Sequence, residues 1–252
     1  MSRNKEERRN EIQKILLRRD QASVDELAGS LGVTPETIRS DLNYLEQKGF
    51  LYRNHGGAKI RQGSLDMPMD IRMQENADIK RSLSEAAFDL VQDDMVLYIG
   101  ASSTALHLAK MMVLRKNISV FTNSLDVLAA MAESRHKVVL LGGEYNRIGR
   151  RTFGAAAQKQ VSEVLFDLSF FSMDGCLDAD GPATQNTDEM PIDQTVLTRS
   201  RMNVLLSDHT KFDIVAHYQY AKFSDFQILV CDKLKKRDYD RVSPVIRTIR
   251  EV

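Results

Sequence analysis

Val33-Thr34-Pro35-Glu36-Thr37-Ile38-Arg39-Ser40-Asp41-Leu42 decides how the first quarter of the chain folds. Thr34 is a hydroxyl residue suited to cap a helix, and Pro35 stands at the first helical position, where a missing N–H costs nothing. Ile38, Leu42 and Leu45 then recur on one face, which turns inward, and Gly49 is expected to stop the helix. Fixing the inward face fixes the outward one. Glu36, Thr37, Arg39, Ser40 and Asn43 lie on or beside it, with Thr34 at the helix start, where base edges and phosphates of DNA can be reached. Arg39 is the first choice for a guanine or phosphate contact.

Reading outward, Ser23-Val24-Asp25-Glu26 is a Ser-x-x-Glu capping box. It opens a helix with Val24, Leu27, Ala28 and Leu31 on one face, closed by Gly32. Upstream, Ile12, Ile15 and Leu16 form one apolar stripe on a charged helix that needs a partner. Two short helices joined by a tight glycine turn predict a helix-turn-helix. Downstream, Phe50 to Ile60 reads as two strands around a turn, a wing that offers Arg53, His55 and Lys59 to a phosphate backbone. Three amphipathic helices and a hairpin could equally be a plain small domain. The capping box, glycine turn, Thr-Pro start and basic wing at this spacing favour DNA.

The chain has 252 residues, 42% hydrophobic and 28% charged, ordinary values that leave out disordered and fibrous classes. No apolar run approaches the roughly 20 residues that span a bilayer, and Met1-Ser2-Arg3-Asn4-Lys5-Glu6 is too charged to open a signal peptide. No membrane partner is expected, and the cytoplasm is the expected location. Cys176 and Cys231 have no Cys or His cluster beside them and read as buried thiols, with no disulfide, metal or cofactor expected. Net charge is zero, which by itself speaks against a polyanion. The balance is uneven, however. Met1 to Arg61 carries 12 Lys and Arg against 9 Asp and Glu, and the remainder 23 against 26, so the sign assigns DNA contact to the first quarter only.

Residues 62–78, with Gly63, Ser64, Pro68 and scattered charge, read as a linker between a DNA-binding domain over 1–61 and a larger domain over 79–252. From Ile79 a helix leads into apolar runs that alternate with helical patterns: Met95–Ile99, Ile118–Phe121, Val138–Leu141, Leu168–Phe171, Val204–Leu206, Phe226–Val230 and Val245–Ile249. Such runs predict an α/β domain, a mostly parallel sheet with helices on both faces.

Ligands of an open parallel sheet bind beyond the carboxyl ends of its strands. After the first run, Gly100-Ala101-Ser102-Ser103-Thr104 puts glycine and hydroxyls at a helix start, which suits a phosphate. Later loops carry Asn123 and Ser124, Gly142 and Gly143, Asp174, and Asp208-His209-Thr210-Lys211. The candidate ligand residues are therefore Gly100, Ser102, Ser103, Thr104, Asn123, Ser124, Gly142, Gly143, Asp174, Glu189, Asp208 and Lys211. Carboxylates suit sugar hydroxyls, and Lys211 suits a hydroxyl or a phosphate. Singly, caps and turns account for many of these residues; five polar loops at one sheet edge favour a pocket.

Val33 to Leu42 with Leu45 resembles the recognition helix of the DeoR family of bacterial sugar-metabolism repressors, and Arg53-Asn54-His55-Gly56-Gly57-Ala58 resembles its wing signature. The later loops, with Asp174-Gly175 and Asp208-His209-Thr210-Lys211-Phe212 among them, are similar to its sensor domain. That domain is related in fold to ribose-5-phosphate isomerase and the CoA-transferases. The resemblance covers essentially the whole chain. It implies a homo-oligomer, dimer or tetramer, that represses a carbohydrate operon by binding double-stranded operator DNA and is released by a phosphorylated sugar or polyol, without enzymatic activity. The competing reading is a sugar-phosphate isomerase-like enzyme with a DNA-binding appendage, using Asp174, Glu189 or Asp208 as general base; the intact head and wing favour the regulator. Three positions depart from the family pattern. Arg39-Ser40 stands where two arginines are common, Ile79-Lys80 where Glu-Lys is frequent, and Asp193 follows Glu189 where a lysine often does.

Overall fold

The computed structural model describes residues 5–19, 21–47, 51–54, 56–60 and 69–252. The chain divides into two compact units, Met1–Met67 and Pro68–Val252.

The first unit runs α1 (Lys5–Arg19), β1 (Gln21–Ser23), α2 (Val24–Leu31), α3 (Pro35–Gln47), β2 (Leu51–Asn54) and β3 (Gly57–Ile60). Ser23 and Glu26 form the expected capping box: Glu26 N donates to Ser23 Oγ at 3.2 Å and Ser23 N donates to the Glu26 carboxylate at 2.8 Å. Gly32 closes α2 in the left-handed region at φ 66°. Ile12, Leu16, Leu27, Ile38, Leu42 and Leu45 lock the three helices together and are almost wholly buried. Strand β1 is an element that the apolar pattern did not mark, because three residues are too few to show a period. It completes a sheet of order β1-β3-β2 by pairing Ala22 with Ala58. Gly57 is needed there, since a β-carbon would collide with the Ala22 carbonyl. Asp41, on the inner side of α3, is fully buried and takes bonds from Arg8 Nε at 2.6 Å and Arg9 Nε at 2.8 Å. Two cations of α1 are thus committed to holding α3. The expected helix stop at Gly49, Phe50 and His55 lie outside the described residues.

The second unit comprises α4 (Met69–Gln74), α5 (Ala77–Phe88), β4 (Val96–Ile99), α6 (Ser103–Met111), β5 (Ser119–Thr122), α7 (Leu125–Met131), β6 (Lys137–Leu140), β7 (Glu144–Asn146), β8 (Arg151–Phe153), α8 (Ala155–Ser162), β9 (Leu168–Ser172), β10 (Ala183–Thr184), α9 (Met190–Thr198), β11 (Asn203–Ser207), β12 (Tyr218–Gln219), β13 (Ile228–Cys231), α10 (Lys236–Val242) and β14 (Thr248–Glu251). The seven expected strands form one parallel sheet of order β14-β13-β11-β9-β4-β5-β6. Period-two alternation divides its side chains between two cores. Leu97, Ile99, Val120, Phe170, Leu206 and Val230 pack under α4 to α7, while Tyr98, Phe171, Leu205 and Leu229 pack under α8 to α10. Tyr98 anchors the second core, with ring centroids 5.9 Å from Phe166 and 5.8 Å from Phe171. Cys176 and Cys231 are free and buried.

The expected linker over 62–78 is corrected in its second half. Met69 to Gln74 is helical, and Met69 and Met73, one turn apart, pack against the first core. A six-residue helix is too short for its apolar period to stand out. No helix among the described residues is long and apolar enough to cross a membrane.

Candidate functional site

On the first unit, burial of Ile38, Asp41, Leu42 and Leu45 leaves Thr34, Glu36, Arg39, Ser40 and Asn43 exposed along α3, with Thr37 half-buried. Thr34 Oγ1 accepts from Thr37 N at 3.3 Å, which ties down the helix start. Arg39 lies along the surface with Nη1 donating to Glu36 at 2.8 Å, and Arg53 reaches from β2 to donate to Asn43 Oδ1 at 2.5 Å. Arg53 N also donates to Glu46. The exposed polar row of α3 therefore continues onto the wing, where Lys59 is half-buried.

On the second unit, a cleft opens at the carboxyl edge of the sheet as two hollows that share Arg72, Ser172, Met173 and Asp174. The first hollow collects Ser102, Ser103 and Thr104 at the start of α6 with Lys80, Asp208 and Lys211. Ser102 Oγ accepts from Ala105 N at 3.0 Å and caps the helix, so the amino terminus of α6 faces this space. Asp208 accepts from Thr210 N at 3.1 Å and from Asn76 Nδ2 at 3.3 Å. Asn76, at φ 51° between α4 and α5, thereby ties that corner to the end of β11. Lys80 is buried and donates to the Arg72 carbonyl at 2.5 Å. Burial first and Lys211 second push its ammonium down to about 8. Arg72 contributes the most telling atoms: its Nε and Nη2 are buried without a hydrogen-bond partner among the described residues.

The second hollow takes Gly100, Arg151, Asp174, Glu189, Asp193 and Tyr220. Arg151, almost fully buried, forms an ion pair with Glu189, whose other oxygen accepts from Asn123 Nδ2 at 3.2 Å. Asp174 Oδ2 accepts from Thr184 Oγ1 at 3.0 Å and Gln185 N at 2.9 Å. Tyr98 Oη donates to Asp193 Oδ1 at 3.2 Å. Burial, and then the nearby Glu189, push the Asp193 carboxyl well above the usual carboxylate range.

Gly100, Ser102, Ser103, Thr104, Asp174, Glu189, Asp208 and Lys211 thus come together at one cleft. Four expected residues do not line it. Asn123 and Ser124 are buried, the first holding Glu189 and the second capping α7 through Val127 N at 3.2 Å. Gly142 donates to Gln160 at 3.1 Å, and Gly143 leaves room for the Phe153 carbonyl, which a β-carbon would strike. The reason is topological. Chain order reverses between β4 and β9, and the cleft sits over β4, β9 and β11, whereas the two glycines follow the edge strand β6, two strands beyond β4. Arg72, Glu75, Arg151 and Tyr220 line the cleft and were missed by the sequence reading, as was Tyr98, which supports it from the core through Asp193. For Arg72 the only signal was two methionines spaced four apart around it.

The family model for the DeoR C terminal sensor domain matches residues 75–233, and that for the DeoR-like helix-turn-helix domain matches residues 8–63. The chain is 29% identical over 214 residues to an uncharacterized HTH-type transcriptional regulator, FruR, of Bacillus subtilis, covering 84% of this chain and 85% of the relative. It is 26% identical over 208 residues to the glycerol-3-phosphate regulon repressor of Escherichia coli, covering 82% of each. Among solved structures, ribose 5-phosphate isomerase A of Methanocaldococcus jannaschii matches 55% of each chain at 18% identity and a TM-score of 0.41. With a family model over most of its length and a second over its head, the chain belongs to the DeoR family of transcriptional regulators.

Proposed function

We propose that this protein is a cytoplasmic repressor of a carbohydrate-metabolism operon, active as a homo-oligomer, that leaves its operator when a phosphorylated sugar or polyol enters the cleft. Thr34, Glu36, Thr37, Arg39, Ser40 and Asn43 face the major groove in this reading, with Arg53, His55 and Lys59 on the backbone beside it. The observation that carries the effector half is the pair of buried, partnerless guanidinium nitrogens of Arg72 beside Lys80, Lys211 and the start of α6. Buried N–H groups without an acceptor are costly, and a phosphate supplies acceptors for all of these donors at once. The carboxylates that an isomerase would need as base are engaged in holding the cleft, Asp174 with Thr184, Glu189 with Arg151, and Asp208 with Thr210. That arrangement supports a sensor that binds and does not turn over its ligand.

Ser103→Ala combined with Lys211→Ala is the test. The double variant is expected to bind operator as the parent does, in a mobility-shift titration, and to stay bound when effector is added. Normal release would place the phosphate elsewhere. Turnover of ribose 5-phosphate by the purified protein would favour the enzyme instead.

A further inference from the structure

Resting on the sugar-phosphate reading above, we infer that the effector is an amino-sugar phosphate, with its protonated nitrogen seated against Asp193 at the end of the cleft away from Lys80 and Lys211. The two hollows differ in charge. At the far end Arg151 stands against Glu189 and Asp193, while Arg72 and Asp174 are shared by the two hollows, so carboxylates outnumber cations there by one. Glu189 is matched by Arg151, and Asp174 is bound by Thr184 and Gln185. Asp193 is the exception. It receives a neutral phenol, Tyr98, and no ion pair reaches it among the described residues.

A carboxylate in such a place either takes a proton or draws a cation. A phosphate dianion in the neighbouring hollow adds negative charge and strengthens the demand. A sugar hydroxyl would give Asp193 one neutral hydrogen bond and leave the charge unchanged. An ammonium removes one charge and makes charge-assisted bonds, which are roughly twice as strong as neutral ones. A ligand that is negative at one end and positive at the other thus matches the cleft along its length.

Thermal-shift and calorimetric titrations of the full chain with matched pairs test this. The pairs are glucosamine 6-phosphate against glucose 6-phosphate and galactosamine 6-phosphate against galactose 6-phosphate, with inorganic phosphate as reference. In at least one pair the amine is expected to bind roughly tenfold or more tightly than its hydroxyl counterpart. N-acetylglucosamine 6-phosphate, which keeps the nitrogen but not its charge, is expected to lose the advantage. Asp193→Asn is expected to erase the difference within a pair while phosphate still raises the melting temperature. Equal or tighter binding of the hydroxyl member in both pairs overturns the inference and leaves the sugar-phosphate reading standing. So does protection by phosphate with no binding of either amine. If neither phosphate nor any of these sugars shifts the melting temperature, the sugar-phosphate reading itself falls.

Discussion

The recognition face of the head and the cleft of the sensor hold their charges in opposite ways. Along α3 and the wing, Arg39 and Arg53 are exposed and rest on Glu36 and Asn43. In the cleft Lys80 is 4% exposed, and Arg151 and Asp208 2% each. Exposed pairs of this kind are worth about 0–1 kcal/mol, so their partners can be exchanged for DNA at little cost. Buried charges are part of the fold that they serve. A substitution among the exposed charges of the recognition face should therefore change binding alone, whereas one among the buried charges of the cleft should change stability and binding together.

The largest test of that contrast is Arg151→Ala. It strands Glu189 beside Asp193 and is expected to cost about 3–5 kcal/mol in denaturant unfolding of the second unit; a loss below 1 kcal/mol would erase the distinction. Next, Arg39→Ala is expected to weaken operator binding by about 1–3 kcal/mol with an unchanged melting temperature. Unchanged affinity in a mobility-shift titration refutes the contact. Ser23→Ala, which removes the capping box of α2, is expected to destabilise the head by about 1 kcal/mol while the sensor keeps its own transition.

Lys80 gives a pH test. Its value of about 8 lies below the ordinary lysine value of about 10.4, so the unfolded chain holds this proton more tightly. Between these values the stability of the unliganded sensor should rise with pH. A phosphate in the cleft favours the ammonium, so binding in this window should take up a proton, and affinity should fall as pH rises. Calorimetry in two buffers of different ionisation heat measures the uptake; none at all would separate Lys80 from the ligand. The smallest expected effect is Glu36→Ala, within about 0.5 kcal/mol of parental stability.

Elements with long apolar periods were legible in the sequence. Ile38, Leu42 and Leu45 oriented α3, and the seven apolar runs located the seven strands, because burial on one face or two writes a repeating pattern. Hydroxyls at the start of α6 were legible for the same local reason. Arg72 and Arg151 were not. They are single polar residues on a six-residue helix and a three-residue strand, and only closure of the whole sheet brings them to the cleft. Gly142 and Gly143 show the reverse: they do not line the cleft. They follow a strand as a pocket loop would, but strand rank in the sheet, not position along the chain, decides which loops border the cleft.

One wall of the cleft, carrying Arg72, Asn76 and Lys80, is built from the first elements of the second unit. In the proposed reading the effector touches the sensor close in sequence to the stretch 61–68 that joins it to the head. Lengthening that stretch by a few glycines is expected to spare both recognition events, each measured singly, and to sever the message that passes from one to the other. If the proposed release by effector holds, induction is written in the connecting chain as much as in either pocket or groove.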